Sequence, residues 1–234
     1  MIGAYDWSGG REAILRFGPA TGPVVIAAMP LFEEANRTRA FMVTILRGLA
    51  ERGIASALPD LPGMGDSLIE TEQVSLSNWQ KAFSSAAAAL RDTGPVHAVA
   101  IRGGALLDHD APVAGRWHFA PVAGAALVRD MFRTRLAAAK EDGEAFDTSV
   151  IESPGPPVEL AGNRLSRVLL VDLNGATPSS NGPLRTVRLD TDAQPAHLKL
   201  AGAPLWRRAE PGNDPALADL LAADIAAWIA TCGG

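Results

Sequence analysis

The sequence predicts an α/β fold: a mostly parallel central sheet covered by helices on both faces, with a short cap or excursion. Three observations carry this. Short, continuously apolar runs such as 23–30 and 96–101 have the composition of strands buried on both sides. Between them, apolar residues recur at helical spacing, as at Phe41, Ile45 and Leu49. Strand and helix patterns then alternate along the chain, which calls for crossover connections and a parallel sheet.

Residues 11–17 alternate and meet a Gly/Pro turn, an early strand, and 23–30 is the first buried strand. The stripe Phe41, Met42, Ile45, Leu46 and Leu49 predicts a helix stopped by Gly53, followed by a strand at 54–60. Ser77 and Gln80 have capping-box spacing and open a helix with Trp79, Phe83, Ala87 and Leu90 on one face. It ends at Gly94-Pro95, and strand 96–101 comes next. Residues 115–122 read as a strand and 125–140 as an amphipathic helix. Residues 141–164, rich in Gly, Pro and acidic groups, read as a loop, so 124–164 forms the expected cap or excursion. The stretch RVLLVDL (167–173) reads as a strand, with further short strands near 185–190 and 197–202. Asp214 as N-cap and Pro215 at the first helical position open a last helix carrying Leu217, Leu221, Ile225 and Trp228.

A chain of 234 residues, 47% hydrophobic, suffices for one domain, 1–234, with a sizeable core. The net charge of −5 and the lack of a basic stripe with interleaved aromatics argue against a nucleic-acid partner. The single cysteine, Cys232, excludes a disulfide framework and makes no thiolate metal site, so neither metal nor cofactor is expected. The N-terminus lacks the basic and apolar regions of a signal peptide, and no apolar run approaches the length of a membrane span. A cytoplasmic protein is expected.

Ligands in open parallel sheets sit at the carboxyl ends of strands, here at 29–39, 60–67, 102–104 and after 167–173. Ala100-Ile101-Arg102-Gly103-Gly104 has small residues at both ends of a sharp strand-to-helix turn. Such a turn, preceded by the Pro-Gly-x-Gly-x-Ser stretch at 62–67, resembles the nucleophile elbow of the α/β-hydrolase superfamily. The blocks MPLFEEANRTR (29–39), LPDLPGMGDS (58–67), IRGGALL (101–107), RWHFAPVAGAALVRDMFRTRLAA (116–138) and GAPLWRRAEPGNDPAL (202–217) resemble a narrower group, exosortase A system-associated hydrolase 2. The resemblance covers most of 23–230. It implies an α/β-hydrolase fold, an arginine at the elbow, and a locus concerned with exopolysaccharide production and the sorting of proteins bearing a PEP-CTERM tail.

A serine hydrolase of this fold needs nucleophile, acid and histidine in that chain order. Arg102 stands at the nucleophile's position, and a guanidinium stays protonated and cannot attack a carbonyl. No carboxylate stands in the turn after 167–173, with Asp172 inside the strand. The loop before the last helix carries Trp206 and no histidine. His97 and His118 lie in buried strands, His109 sits between Asp108 and Asp110, and His197 flanks a late strand from which it can approach the cleft. Pro30 removes one backbone donor from the loop where an oxyanion hole would form.

A buried Arg102 demands a partner, and Glu33 and Glu34 on the neighbouring loop are the first candidates, with Asp66 a third. One reading is a salt bridge tying loops together. The other has Arg102 bind an anionic group at the N-terminus of the next helix, with Glu33, Glu34, Asn36 and Arg39 completing the ligand site. Arg129, Arg133 and Arg135 read as a solvated face balanced by acidic residues 141–144. The function expected is that of a pseudo-hydrolase or ligand-binding accessory protein. Its partners would be a small molecule or anionic group and proteins of the exosortase/exopolysaccharide locus. The alternative is an active hydrolase of non-standard mechanism on an ester or glycan-linked substrate, with acidic residues near Arg102 activating water.

Overall fold

Alternate residues of the central strands feed two separate apolar clusters, as the period-2 geometry of a doubly covered sheet requires. In the computed structural model, which describes residues 1–151, 153–160 and 162–232, strand β3 (Val24–Ala28) shows this directly. Val24, Ile26 and Ala28 pack on one side, Val25 and Ala27 on the other.

Ten strands form among the described residues. Besides β3 they are β1 (Ile2–Trp7), β2 (Gly10–Phe17), β4 (Ala55–Pro59), β5 (Val96–Ile101), β6 (Gly115–Phe119), β7 (Val158–Leu160), β8 (Asn163–Leu165), β9 (Leu184–Leu189) and β10 (Leu198–Leu200). Eight make one sheet in the order β1-β2-β4-β3-β5-β6-β9-β10, antiparallel at β1-β2-β4 and parallel from β4 to β10. The remaining two, β7 and β8, form a small antiparallel hairpin.

Helices α1 (Glu33–Glu51) and α5 (Pro215–Cys232) cover one face. They approach closely enough that a Cβ at Gly48 would lie 3.2 Å from that of Ala222. Helices α2 (Leu76–Ala88), α3 (Gly124–Asp142) and α4 (Arg167–Gly175) cover the other. The N-cap of α5 is as expected: the Asp214 carboxylate accepts from the Leu217 N–H at 3.0 Å. Contrary to the expectation that no apolar run reaches such a length, helix α5 is long and apolar enough, by length and composition alone, to cross a membrane. Here, however, Leu217, Leu221, Ile225 and Trp228 bury its inner face in the core.

Four sequence expectations need correction. Residues 167–173 form α4, not a strand: Ser166 caps the helix through the Leu169 N–H, and Leu169, Leu170 and Leu173 are buried at helical spacing. A short apolar run fits either period, and the cap settles it. The capping box of α2 is Ser75 with Asn78, two residues before the expected pair. Glu33 and Glu34 stand in the first turn of α1, where the helix dipole favours carboxylates, and not on a loop. The segment after α3 is more ordered than a loop, with a turn of 3₁₀-helix at Thr148–Ile151 and the β7–β8 hairpin; residues 152 and 161 of it lie outside the described set.

Candidate functional site

Strand β5 runs at the centre of the sheet and delivers Arg102 at its carboxyl end with φ of 55°. A non-glycine residue in that left-handed region carries strain of about 1–2 kcal/mol. The sharp turn also needs Gly104, because a Cβ there would lie 2.5 Å from the carbonyl oxygens of Ala28 and Met29. Thus the elbow's strained backbone is built although its side chain is an arginine. The chain leaves the elbow through a five-residue 3₁₀ turn, Arg102–Leu106, and not through the α-helix expected. So short a turn has little dipole to add to the guanidinium.

All three guanidinium nitrogens donate to the protein. Its Nε lies 3.3 and 3.2 Å from the two carboxylate oxygens of Glu34, and its Nη2 donates to Glu34 Oε1 at 3.1 Å. Nη1 donates to the Ala120 carbonyl at 3.4 Å, and Ala120 itself has φ of 47° just past β6. The Trp206 ring covers the guanidinium at 4.9 Å from its centroid and meets Phe119 edge-on. Side-chain exposures of 13% for Arg102 and 18% for Glu34 place this pair well inside the protein. Glu33 is not a partner: it binds Arg37 at 2.8 Å, and Arg37 also donates to the Trp206 carbonyl at 3.1 Å. The loop carrying Trp206 is therefore tied to α1 directly through Arg37. That role was missed from the sequence, although the i,i+4 spacing of Glu33 and Arg37 was visible there.

Asp66 is exposed at the tip of the 60–67 turn, where its N–H points at the Asp60 carboxylate. Asn36 and Arg39 also stand apart from Arg102. They line a cavity of about 380 Å³ between the β3–α1 and β4–α2 connections, whereas Arg102, Glu34, Arg37 and Trp206 line a neighbouring one of about 300 Å³. Leu31, Phe32 and Glu33 border both cavities. Phe32 divides them with φ of 58° at the start of α1, its ring against Trp79 at 5.8 Å.

The acid and histidine places of a hydrolytic triad are also filled differently. With 167–173 helical, the strand beside β6 is β9, and the turn after it carries Asp190 and Asp192. Carboxylates do stand there, contrary to the expectation. Asp192, however, binds Arg188 at 2.7 Å and accepts from the Gln194 N–H at 2.9 Å. Burial pushes its carboxyl up, but these donors outweigh that and hold it below the usual range. In the loop after β10, where the histidine would stand, Trp206 stacks on Arg102.

The four histidines have separate settings. His118 is buried, its Nε2 2.8 Å from Asp108, and Arg116 beside them donates to the carbonyls of Asp108, His109, Ala111 and Asn181. His97 is buried edge-on to Trp228 with its Nδ1 unpartnered, and burial lowers its pKa. His109 is exposed near Asp110. His197 does not approach the cleft: it sits at the amino end of β10, its Nδ1 accepting from the Thr186 N–H at 3.0 Å. Arg133 pairs with Asp130 and Arg135 with Glu144 along the outer side of α3. Among the described residues no cluster of histidine, cysteine and carboxylate side chains is arranged to hold a metal.

No protein-family model matches the chain, and no curated protein matches it in sequence. Solved structures do. Est1E from Butyrivibrio proteoclasticus, determined with ferulic acid bound, is 15% identical with a TM-score of 0.65, covering 98% of each chain. The fold is that of the α/β-hydrolases. Alpha/beta hydrolase domain-containing protein 10 from mouse is also 15% identical, with a TM-score of 0.60 and 99% of each chain covered. A third likeness on the same fold is an epimerase, the bottromycin epimerase BotH in complex with bottromycin A2, at 15% identity, a TM-score of 0.57 and coverage of 97% of this chain and 98% of that one. At such identities the likeness is one of architecture, so chemistry has to be argued from the side chains.

Proposed function

We propose that this chain is a catalytically silent member of the α/β-hydrolase fold, a cytoplasmic accessory protein whose elbow holds the structure together instead of attacking a substrate. The observation that carries this reading is Arg102 at the nucleophile's position, held by both oxygens of Glu34 and covered by Trp206. A guanidinium offers no lone pair for attack. The anion that Arg102 recognises is the protein's own Glu34. A water-activating mechanism finds little support, since Glu34 gives both oxygens to Arg102 and Glu33 is paired with Arg37.

The sequence blocks that resemble exosortase A system-associated hydrolase 2 support a role beside exopolysaccharide production or PEP-CTERM protein sorting. Two experiments test the reading. Arg102→Ser should hydrolyse p-nitrophenyl acetate no faster than wild type, because no histidine lies at the elbow to activate the new hydroxyl. Efficient turnover by that variant would contradict it. Deleting the gene in its host should alter surface polysaccharide or the release of PEP-CTERM-tailed proteins, and unchanged levels of both would refute the assignment to that system.

A further inference from the structure

The cavity on the far side of Phe32 from Arg102 has a chemistry of its own. Its walls are apolar and aromatic, formed by Phe32, Leu61, Met64, Trp79 and Phe83. Polar groups also line it: Asn36 and Arg39 near the start of α1, Asp60 just past β4, and Glu33, Thr71 and Asn163. The volume of about 380 Å³ is that of a small-molecule site and greatly exceeds what one water needs.

Asp60 is the unusual member. Its side chain is only 12% exposed, yet its carboxylate has weak partners. The Asp66 N–H reaches Oδ2 at 3.5 Å, and Arg39 Nη1 stands 3.6 Å from Oδ1, beyond hydrogen-bonding distance. Two features press the chain around this carboxylate. Tyr5 donates to the Asp60 carbonyl at 2.7 Å, and Gly65, at φ of 61°, passes so close that a Cβ there would lie 2.6 Å from the carboxyl carbon. The loop therefore holds a carboxylate with spare acceptor capacity that opens onto the cavity, where water or a ligand hydroxyl can donate to it.

Charge decides what that something is. Asp60 faces Arg39, and Glu33 at the cavity edge is already paired with Arg37, so the rim is locally neutral. An anionic ligand would meet Asp60, and a cationic one would meet Arg39. A hydroxyl suits both, donating to Asp60 while accepting from Arg39, and so bridges the gap between them. We propose that this cavity binds a small apolar alcohol or phenol, its ring among Phe32, Met64 and Trp79 and its hydroxyl between Asp60 and Arg39. The proposal does not depend on whether the elbow is catalytic.

Calorimetric titration of the full chain with 2-naphthol tests it. Saturable binding is expected, with 2-methoxynaphthalene at least about tenfold weaker because it cannot donate to Asp60, a difference of about 1.4 kcal/mol. Binding of 2-naphthoate should also be weaker, since its charge faces Asp60. Asp60→Asn should narrow the preference for the hydroxyl. Met64→Trp, which fills the cavity from a half-buried turn, should abolish binding while thermal unfolding confirms the variant is folded. Arg102→Met, in the neighbouring cavity, should leave the affinity for 2-naphthol unchanged. The proposal is overturned if wild type fails to bind, if the alcohol and its methyl ether bind equally, or if folded Met64→Trp still binds. Loss of binding in folded Arg102→Met would place the ligand in the other cavity and also overturn it.

Discussion

Removing Glu34 should cost more than any exposed ion pair in this protein. Breaking a fully buried pair by deleting one partner costs about 3–5 kcal/mol, and an exposed pair is worth less than about 1. Arg102 and Glu34 are 13% and 18% exposed, close to the buried limit. After Glu34→Leu the guanidinium keeps the Ala120 carbonyl and the Trp206 face, the latter worth about 0.5–2 kcal/mol. A net loss of about 2–3 kcal/mol is therefore expected. Arg102→Met should cost about 2 kcal/mol, tempered because the orphaned Glu34 sits in the first turn of α1, where the helix dipole helps it. Independent effects would sum to about 4–5 kcal/mol in the double variant. An apolar replacement of the whole pair should instead cost about 2 or less, giving a coupling energy of at least about 2–3 kcal/mol. Urea unfolding monitored by tryptophan fluorescence measures all four proteins, with equal slopes required for the comparison. A coupling below about 0.5 kcal/mol would refute the claim that these two residues hold each other.

Other consequences are checked in the same way. Glu33→Gln should cost under about 1 kcal/mol, since its i,i+4 pair with Arg37 leaves Glu33 43% exposed. Asp224 is pushed up by burial, but Arg185 and Trp117 donate to it at 2.6–2.8 Å and hold its carboxyl below the usual range. That contribution is present above the unfolded carboxyl's pKa of about 4 and is lost as pH falls through the lowered native value, so Asp224→Asn should flatten the acid limb of stability. Burial lowers the pKa of His97, so the fold favours its neutral form. Stability should decline as pH drops below about 6.5, a decline that His97→Phe should reduce. Gly104→Ala should destabilise by several kcal/mol or prevent folding, because its Cβ has rigid carbonyls in its place and no flexible side chain to displace.

The sheet and most helices were legible because their periodicities were clean, as in the buried run of β5 and the stripe Phe41, Ile45, Leu49. The elbow was legible from Arg102-Gly103-Gly104, where the turn leaves no room for a Cβ at Gly104. Residues 167–173 were misread because a stretch of seven residues with five apolar side chains is too short to distinguish a period, and the deciding signal was the Ser166 cap. That error displaced the acid-bearing turn, hiding Asp190 and Asp192. The choice between Glu33 and Glu34 could not be made either. It depends on where α1 begins, which Phe32 sets through its unusual backbone conformation, because neighbouring residues on a helix point about 100° apart. The separation of Asn36 and Arg39 from Arg102 has the same origin.

The most direct measurement is the steady-state hydrolysis of p-nitrophenyl acetate and butyrate by purified wild-type protein, with Arg102→Met and Glu34→Leu alongside. An elbow given over to structure predicts rates equal to buffer for all three proteins. Saturable wild-type turnover that disappears in either variant would contradict it.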